Sequence, residues 1–247
     1  MYLTIQGIVL RVTDYNDRDA LLTVLSRNHG KLTIKARGLR RKNSPLIAPC
    51  QLLAYGEFTL FEYRGQYTIN EAHSIELFQS LRRDLSKLSL GTYFAQATEL
   101  ISQEDLPNPE LQSLLLNCLY ALSKLNLPEA QVKAAFELRS ACIAGYTPDL
   151  FGCHNCGSQT PDRFDLSAGQ LECHSCRSGG SAGIRLPVTP GLLDAMRYIC
   201  FCDPKKLLAF QTGPETLDQL SALTEAYLTT QLERGFSTLD FYKSLLI

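Results

Sequence analysis

The sequence predicts an α+β protein: a five-stranded β-barrel at the amino end, then an α-helical domain carrying a small four-cysteine zinc module. Three observations predict it. The first 80 residues hold five short strand-like runs, some alternating and some continuously apolar, separated by turn formers. From Ser80 onward the apolar residues recur every three or four positions. Finally, Cys153, Cys156, Cys173 and Cys176 form two Cys-x-x-Cys pairs with sixteen residues between them.

The strand runs are Tyr2 to Val12, Ala20 to Leu25, Lys31 to Ala36, Leu52 to Tyr63 and Gln66 to Leu77. Turn formers separate them: Asp14 to Asp19, Asn28-His29-Gly30, Asn43-Ser44-Pro45 and Arg64-Gly65. One longer connection lies between the third and fourth runs. That arrangement suits a closed barrel of the OB type, although an open five-stranded sheet satisfies the same pattern.

Helices follow. Leu81, Leu85, Leu88, Tyr93, Phe94, Ala97 and Leu100 make one amphipathic stripe, broken at Pro107 and Pro109. Leu111 to Leu125 makes a second. The third starts near Pro128, carries Val132, Ala135, Phe136, Leu138 and Ile143, and stops at Gly145 and Pro148. Beyond the cysteines, a Ser/Gly-rich linker from Ser178 to Gly183 precedes helices at Gly191 to Cys202, Pro204 to Phe210 and Pro214 to Glu233. The expected division is 1–79 for the barrel, 80–150 with 184–247 for the helical domain, and 151–183 for an inserted zinc module.

Each Cys-x-x-Cys sets two thiolates on one tight turn, and two such turns close a four-sulfur cage for one structural Zn²⁺. Between the pairs, Arg163 to Leu166 and Gln170 to Glu172 flank Ser167-Ala168-Gly169 as a short hairpin. Disulfides compete poorly, because nine cysteines are an odd number and reduced thiols fit a cytoplasmic protein. A thiol oxidoreductase would leave the second pair unexplained. Four thiolates leave no open position for catalysis, so the expected ion is structural. His154 and His174 are alternative ligands beside the cage.

The net charge of −1 argues, taken whole, against a nucleic-acid binder, but the distribution is uneven. Residues 1–80 hold ten Lys or Arg against seven acids, and six of the ten fall in residues 31–42. On an extended strand Lys31, Thr33, Lys35 and Arg37 share one face, with Leu32, Ile34 and Ala36 on the other. Gly38 allows a sharp exit into a loop bearing Arg40, Arg41 and Lys42. Such a row can follow a phosphate backbone, and six phosphate contacts give a log K against log salt slope near −4 on single strands, from about −0.7 each. Tyr55, Phe58, Phe61, Tyr63 and Tyr67 lie on neighbouring strands, either in the core or stacking bases on the barrel face. No phosphate-binding glycine loop, metal-carboxylate cluster or Gly-x-Ser-x-Gly is present, so binding without catalysis is expected. A zinc-ribbon regulatory factor that binds nucleic acid is the alternative.

Several segments resemble the bacterial recombination mediator family RecO, of DNA repair. They are Gly7-Ile8-Val9-Leu10, Tyr15 to Thr23, Gly30-Lys31 and Ala36-Arg37-Gly38-Leu39-Arg40-Arg41. Further on come Phe136-Glu137-Leu138-Arg139, Ala144 to Leu150 and Cys153-x-x-Cys156-Gly157. Asp17 stands where the family often has Glu, and Arg177 where others have Gly. The resemblance implies an OB barrel, a helical domain, binding of single- and double-stranded DNA, and annealing of complementary strands. Its implied partners are RecR and the acidic tail of single-strand-binding protein, with RecA loaded onto coated gaps near the nucleoid. It carries DNA contact onto Lys35, Arg37, Arg40 and Arg41. Lys133 and Arg139, beside apolar positions on the third helix, are the expected rim cations for the tail carboxylate.

Overall fold

The computed structural model describes residues 1–176 and 183–246; Arg177 and the linker from Ser178 through residue 182 lie outside them. The first five strands are β1 (Tyr2–Asp14), β2 (Ala20–Ser26), β3 (Gly30–Ala36), β4 (Tyr55–Tyr63) and β5 (Gln66–Glu76). They close in the order β1-β2-β3-β5-β4, with β4 pairing back to β1, so the barrel is favoured over the open sheet. The β3–β5 seam is short, pairing Ile34 with Tyr67 and Lys35 with Thr68, while Lys31 bonds through its backbone to Gln103 and Asp105. The pairing of β3 with β5 is parallel, and the other four are antiparallel.

The period-2 pattern decides which side chains fill the interior. Ile5, Val9, Leu22, Val24, Leu32, Ile34, Phe58 and Leu60 are buried together there. β4 starts later than the apolar run from Leu52, because Leu53 adopts a left-handed φ of 63° and donates its N–H to the Val9 carbonyl. The connection between β3 and β4 has no regular strand or helix, yet Leu39 and Cys50 are buried in the barrel core and Leu46 packs on it.

By packing, the chain divides into two compact units, residues 1–126 with 236–247, and residues 127–235. In the first unit the barrel is joined by α1 (Leu85–Ile101), α2 (Pro109–Lys124) and a terminal α6 (Ser237–Ser244). Asp84 and Asn108 cap α1 and α2 by accepting from Lys87 and Leu111 N–H groups. Gln112 donates to the buried Leu25 carbonyl, tying α2 to β2. Tyr93 of α1 meets Phe236 edge-on at 5.3 Å, which seats the start of α6.

The second unit holds α3 (Glu129–Ile143), α4 (Pro190–Phe201) and α5 (Pro214–Gln231) with a small sheet. That sheet has the order β6-β8-β7-β9, from β6 (Asp149–Cys153), β7 (Arg163–Asp165), β8 (Gln170–Glu172) and β9 (Arg185–Pro187). The expected hairpin is β7–β8; its two flanking strands carried no sequence signal, being too short to show alternation. The helix expected over Pro204 to Phe210 is a single 3-10 turn at Pro204–Lys206, opened by Asp203 accepting from Lys205 N–H. Among the described residues no helix is long and apolar enough to cross a membrane.

Candidate nucleic-acid interface and metal centre

Strand β3 runs as its alternation dictates: Leu32, Ile34 and Ala36 are buried and Thr33 and Arg37 exposed. The cations on its outer face divide into two groups. Lys31 turns toward α1, where its ammonium donates to the Glu99 carbonyl at 3.0 Å. It sits at the carbonyl-rich end of that helix, where the macrodipole favours a positive charge. Lys35 stays on the barrel surface, 3.4 Å from an Asp19 carboxylate oxygen and 4.5 Å from the Tyr15 ring centroid.

After Ala36 the chain leaves the sheet through Gly38, whose φ of +69° is one that side-chain-bearing residues rarely adopt. Arg40, Arg41 and Lys42 follow on exposed positions. Burial of Leu39 on one side and packing of Leu46 on the other hold that loop to the barrel. The turn between β1 and β2 docks beside it. Arg40 donates to the Asn16 carbonyl at 2.9 Å and pairs with Asp14 at 3.3 Å, while its N–H donates to the Arg18 carbonyl. Asp19 accepts from Gly38 N–H at 2.9 Å, and that bond, ahead of Asn16 and Lys35, holds its carboxyl below the usual range.

Among the described residues, no ion pair engages Arg37, Arg41 or Lys42. Exposed Arg18 joins this surface through the docked turn. It lies thirteen positions before Lys31, so a linear charge run could not reveal it. Of the candidate stacking rings, Phe58 is fully buried and Tyr67 packs on the core. Phe61 and Tyr63 are exposed.

The four cysteines expected to hold a metal converge. The Sγ atoms of Cys153, Cys156, Cys173 and Cys176 all lie within 4.8 Å of one another, and Cys156 and Cys173 are 3.6 Å apart. Four thiolates at 2.3 Å from one tetrahedral ion are about 3.8 Å apart, so the donor set fits a soft divalent metal. Backbone geometry builds the cage. Gly157 N–H donates to the Cys153 carbonyl at 2.8 Å, and Gly157 has a φ of +71°. His154 N–H bonds to the Leu171 carbonyl, fastening the first turn to β8. Burial raises the Cys153 thiol, but N–H groups of Cys156, Cys173 and Asn155 outweigh it and bring the pKa down to about 6. His154 and His174 stay outside the four-sulfur group.

The sheet around the cage is pinned to helices of its own unit. Phe164 packs edge-on against Tyr227 of α5 at 5.2 Å, and Gln231 donates to the Leu166 carbonyl at 2.7 Å. Arg197 of α4 donates to the Leu150 carbonyl. Arg185 pairs with Glu172 at 2.7 Å inside the sheet.

The two expected rim cations of α3 have other tasks. Lys133 is 3% exposed, and its ammonium lies 3.0 Å from Glu137, 2.8 Å from Glu225 and 3.2 Å from the Ser221 carbonyl. It presents no accessible charge to a carboxylate ligand. Apolar periodicity made α3 legible as a helix, but not that its polar positions face α5. Arg139 donates to the Cys200 and Cys202 carbonyls at 2.7 and 2.6 Å, capping the carboxyl end of α4.

Comparison with known proteins covers nearly the whole chain. Residues 1–78 match the family model "Recombination protein O N terminal", and residues 82–240 match "Recombination protein O C terminal". A protein of Acetivibrio thermocellus named DNA repair protein RecO is 33% identical over 247 residues, spanning 99% of this chain and 97% of its own length. Proteins of the same name from Alkaliphilus metalliredigens and Bacillus subtilis are 29% and 28% identical, over 99% and 90% of this chain and 100% and 86% of their own.

Proposed function

The chain belongs to the recombination protein O family of DNA repair proteins, and from that premise we propose that it is a non-enzymatic recombination mediator gripping DNA through the outer face of its barrel. One observation carries the reading: Lys35, Arg37, Arg40, Arg41 and Lys42 run without interruption by an acid from β3 into a loop anchored by Leu39 and Cys50. Cations at phosphates release counterions and lower the repulsion between two strands, so complementary strands approach and pair. Lys31 is left out of this set, since its ammonium serves α1.

The finer reading follows the family. Its ligands are single- and double-stranded DNA. Its partners are RecR and the tail of single-strand-binding protein, and its outcome is RecA loaded onto coated single strands in the cytoplasm, near the nucleoid. Tail capture is proposed without Lys133, which is enclosed. One Zn²⁺ held by Cys153, Cys156, Cys173 and Cys176 would cross-link the small sheet and supply no reaction chemistry, because four thiolates complete its coordination.

A strand-annealing assay with metal-loaded protein tests this reading. Annealing should accelerate at low salt and the acceleration should fade as salt rises. Annealing no faster than the spontaneous rate in dilute buffer refutes it.

A further inference from the structure

The register of the barrel lines up four side chains across four strands. Lys35 of β3 pairs with Thr68 of β5, Thr68 with Phe61 of β4, and Phe61 with Tyr2 of β1. Register partners share a face of the sheet, so all four stand on the outside of the barrel. Tyr2 is 63% exposed and Phe61 41% exposed, and their rings contact each other with centroids 5.5 Å apart. Tyr63, two residues beyond Phe61 on the same face, is exposed and carries the Arg64 guanidinium 5.2 Å from its ring centroid.

Large aromatic side chains are normally buried for their apolar area. Here rings on the outside of a closed barrel stand in line with Lys35. Strands are about 4.8 Å apart, so Phe61 lies about 10 Å from Lys35 across two strand spacings. That is a short reach for a nucleotide whose phosphate sits on Lys35 or Arg37. Along the strands, away from the chain's first residue, the outer face carries acids. Next along the strands Thr4, Thr59 and Glu71 lie abreast, the two hydroxyls 3.4 Å apart, and the following outward row is Gln6, Glu57 and His73. Cations flank the rings across the strands, and acids lie beyond them along the strands.

We infer that Tyr2 and Phe61, with Tyr63 beside them, form a base-stacking platform that makes single-stranded DNA the preferred ligand of this barrel face. The inference rests on the DNA-binding reading above and deepens it. Phosphates lie along Lys35, Arg37 and the loop cations, and unpaired bases turn inward over the rings. A duplex keeps its bases stacked on one another and offers these rings nothing but its backbone. Selectivity for single strands then comes from the aromatic row, and the charge-dependent part of affinity from the cations.

The test measures binding to three labelled probes by fluorescence anisotropy: an oligothymidylate, an abasic oligomer with the same number of phosphates, and a duplex of the same length. The Tyr2→Ala/Phe61→Ala double variant should bind the oligothymidylate at least about fivefold more weakly, the low end for one lost stacking contact. Its affinity for the abasic oligomer and the duplex, and its salt slope, should match the unaltered protein. The Tyr2→Phe/Phe61→Tyr variant, which keeps both rings, should bind like the unaltered protein. Unchanged oligothymidylate affinity in the double alanine variant overturns the platform, as does an equal loss on all three probes. Failure of the unaltered protein to bind any probe at low salt overturns the underlying DNA-binding reading instead, and is recognised before any variant is compared.

Discussion

The carboxylate of Asp19 lies 3.4 Å from the ammonium of Lys35 and on its other side accepts the Gly38 N–H at 2.9 Å. One acid thus joins the turn between β1 and β2 to the last outward cation of β3 and to the glycine where the basic loop begins. It shapes the loop and also holds a negative charge beside the row that would meet phosphate.

Replacing Asp19 with Asn separates these two effects. Asparagine keeps an oxygen for Gly38 N–H and removes the charge. DNA affinity at low salt should rise a few-fold, and the slope of log K against log salt should steepen by up to about 0.7, one more counterion released. Anisotropy titrations at several salt concentrations check this; weaker binding would mean that Asp19 acts mainly by holding the loop.

Acid should undo the same contact. The folded carboxyl titrates below its ordinary value, held first by the Gly38 N–H and then by Asn16. A depressed carboxyl stabilises the folded turn above the ordinary pKa of 3.8, and this contribution disappears as pH falls through the lowered folded value. Carbon-detected NMR of the Asp19 carboxyl should give a midpoint below 3.8, and Asp19→Asn should remove that step from the profile.

Lys31 and the loop cations should respond oppositely to mutation. Arg40, Arg41 and Lys42 changed together to Gln should weaken DNA binding and flatten the salt slope by about 2, from 0.7 per phosphate contact, with a small stability loss from the exposed Arg40 bonds to Asn16 and Asp14. Lys31→Gln should leave the slope in place and lower stability, by the order of 1 kcal/mol for a charged hydrogen bond to a helix-end carbonyl. A flattened slope in Lys31→Gln would return that residue to the binding row.

Metal removal should affect the second unit. Chelation, or Cys173→Ser, should release one equivalent of zinc and expose the Phe164–Tyr227 contact, because the hairpin between the cysteine pairs carries Phe164. Zinc analysis with limited proteolysis checks it; full protection of residues 149–176 in the metal-free protein would make the cage dispensable.

Lys133 should matter for stability. Its ammonium neutralises Glu137, a fully buried carboxylate whose pKa burial pushes up despite that cation. Lys133→Met should destabilise by about 3–5 kcal/mol, since it removes the cation from a buried charge. Lys133→Met/Glu137→Leu should recover much of the loss, and urea unfolding of both variants measures it.

Local periods and the cysteine spacing are legible in the linear chain. Strand alternation made the inner and outer faces of β3 readable, and two Cys-x-x-Cys turns announced a four-sulfur cage, because both signals are carried by residues close together in the chain. Only tertiary structure decided which charges stay exposed. Lys31 and Lys35 look alike in the sequence, but the end of α1, nearly seventy residues away, occupies one and leaves the other on the surface. Lys133 is enclosed by residues from α5, nearly ninety positions on. The alignment of Lys35 with Thr68, Phe61 and Tyr2 arises from barrel closure, which pairs strands distant in the chain. Solvation of a charge or a ring depends on what packs beside it, and those neighbours come from distant parts of the chain.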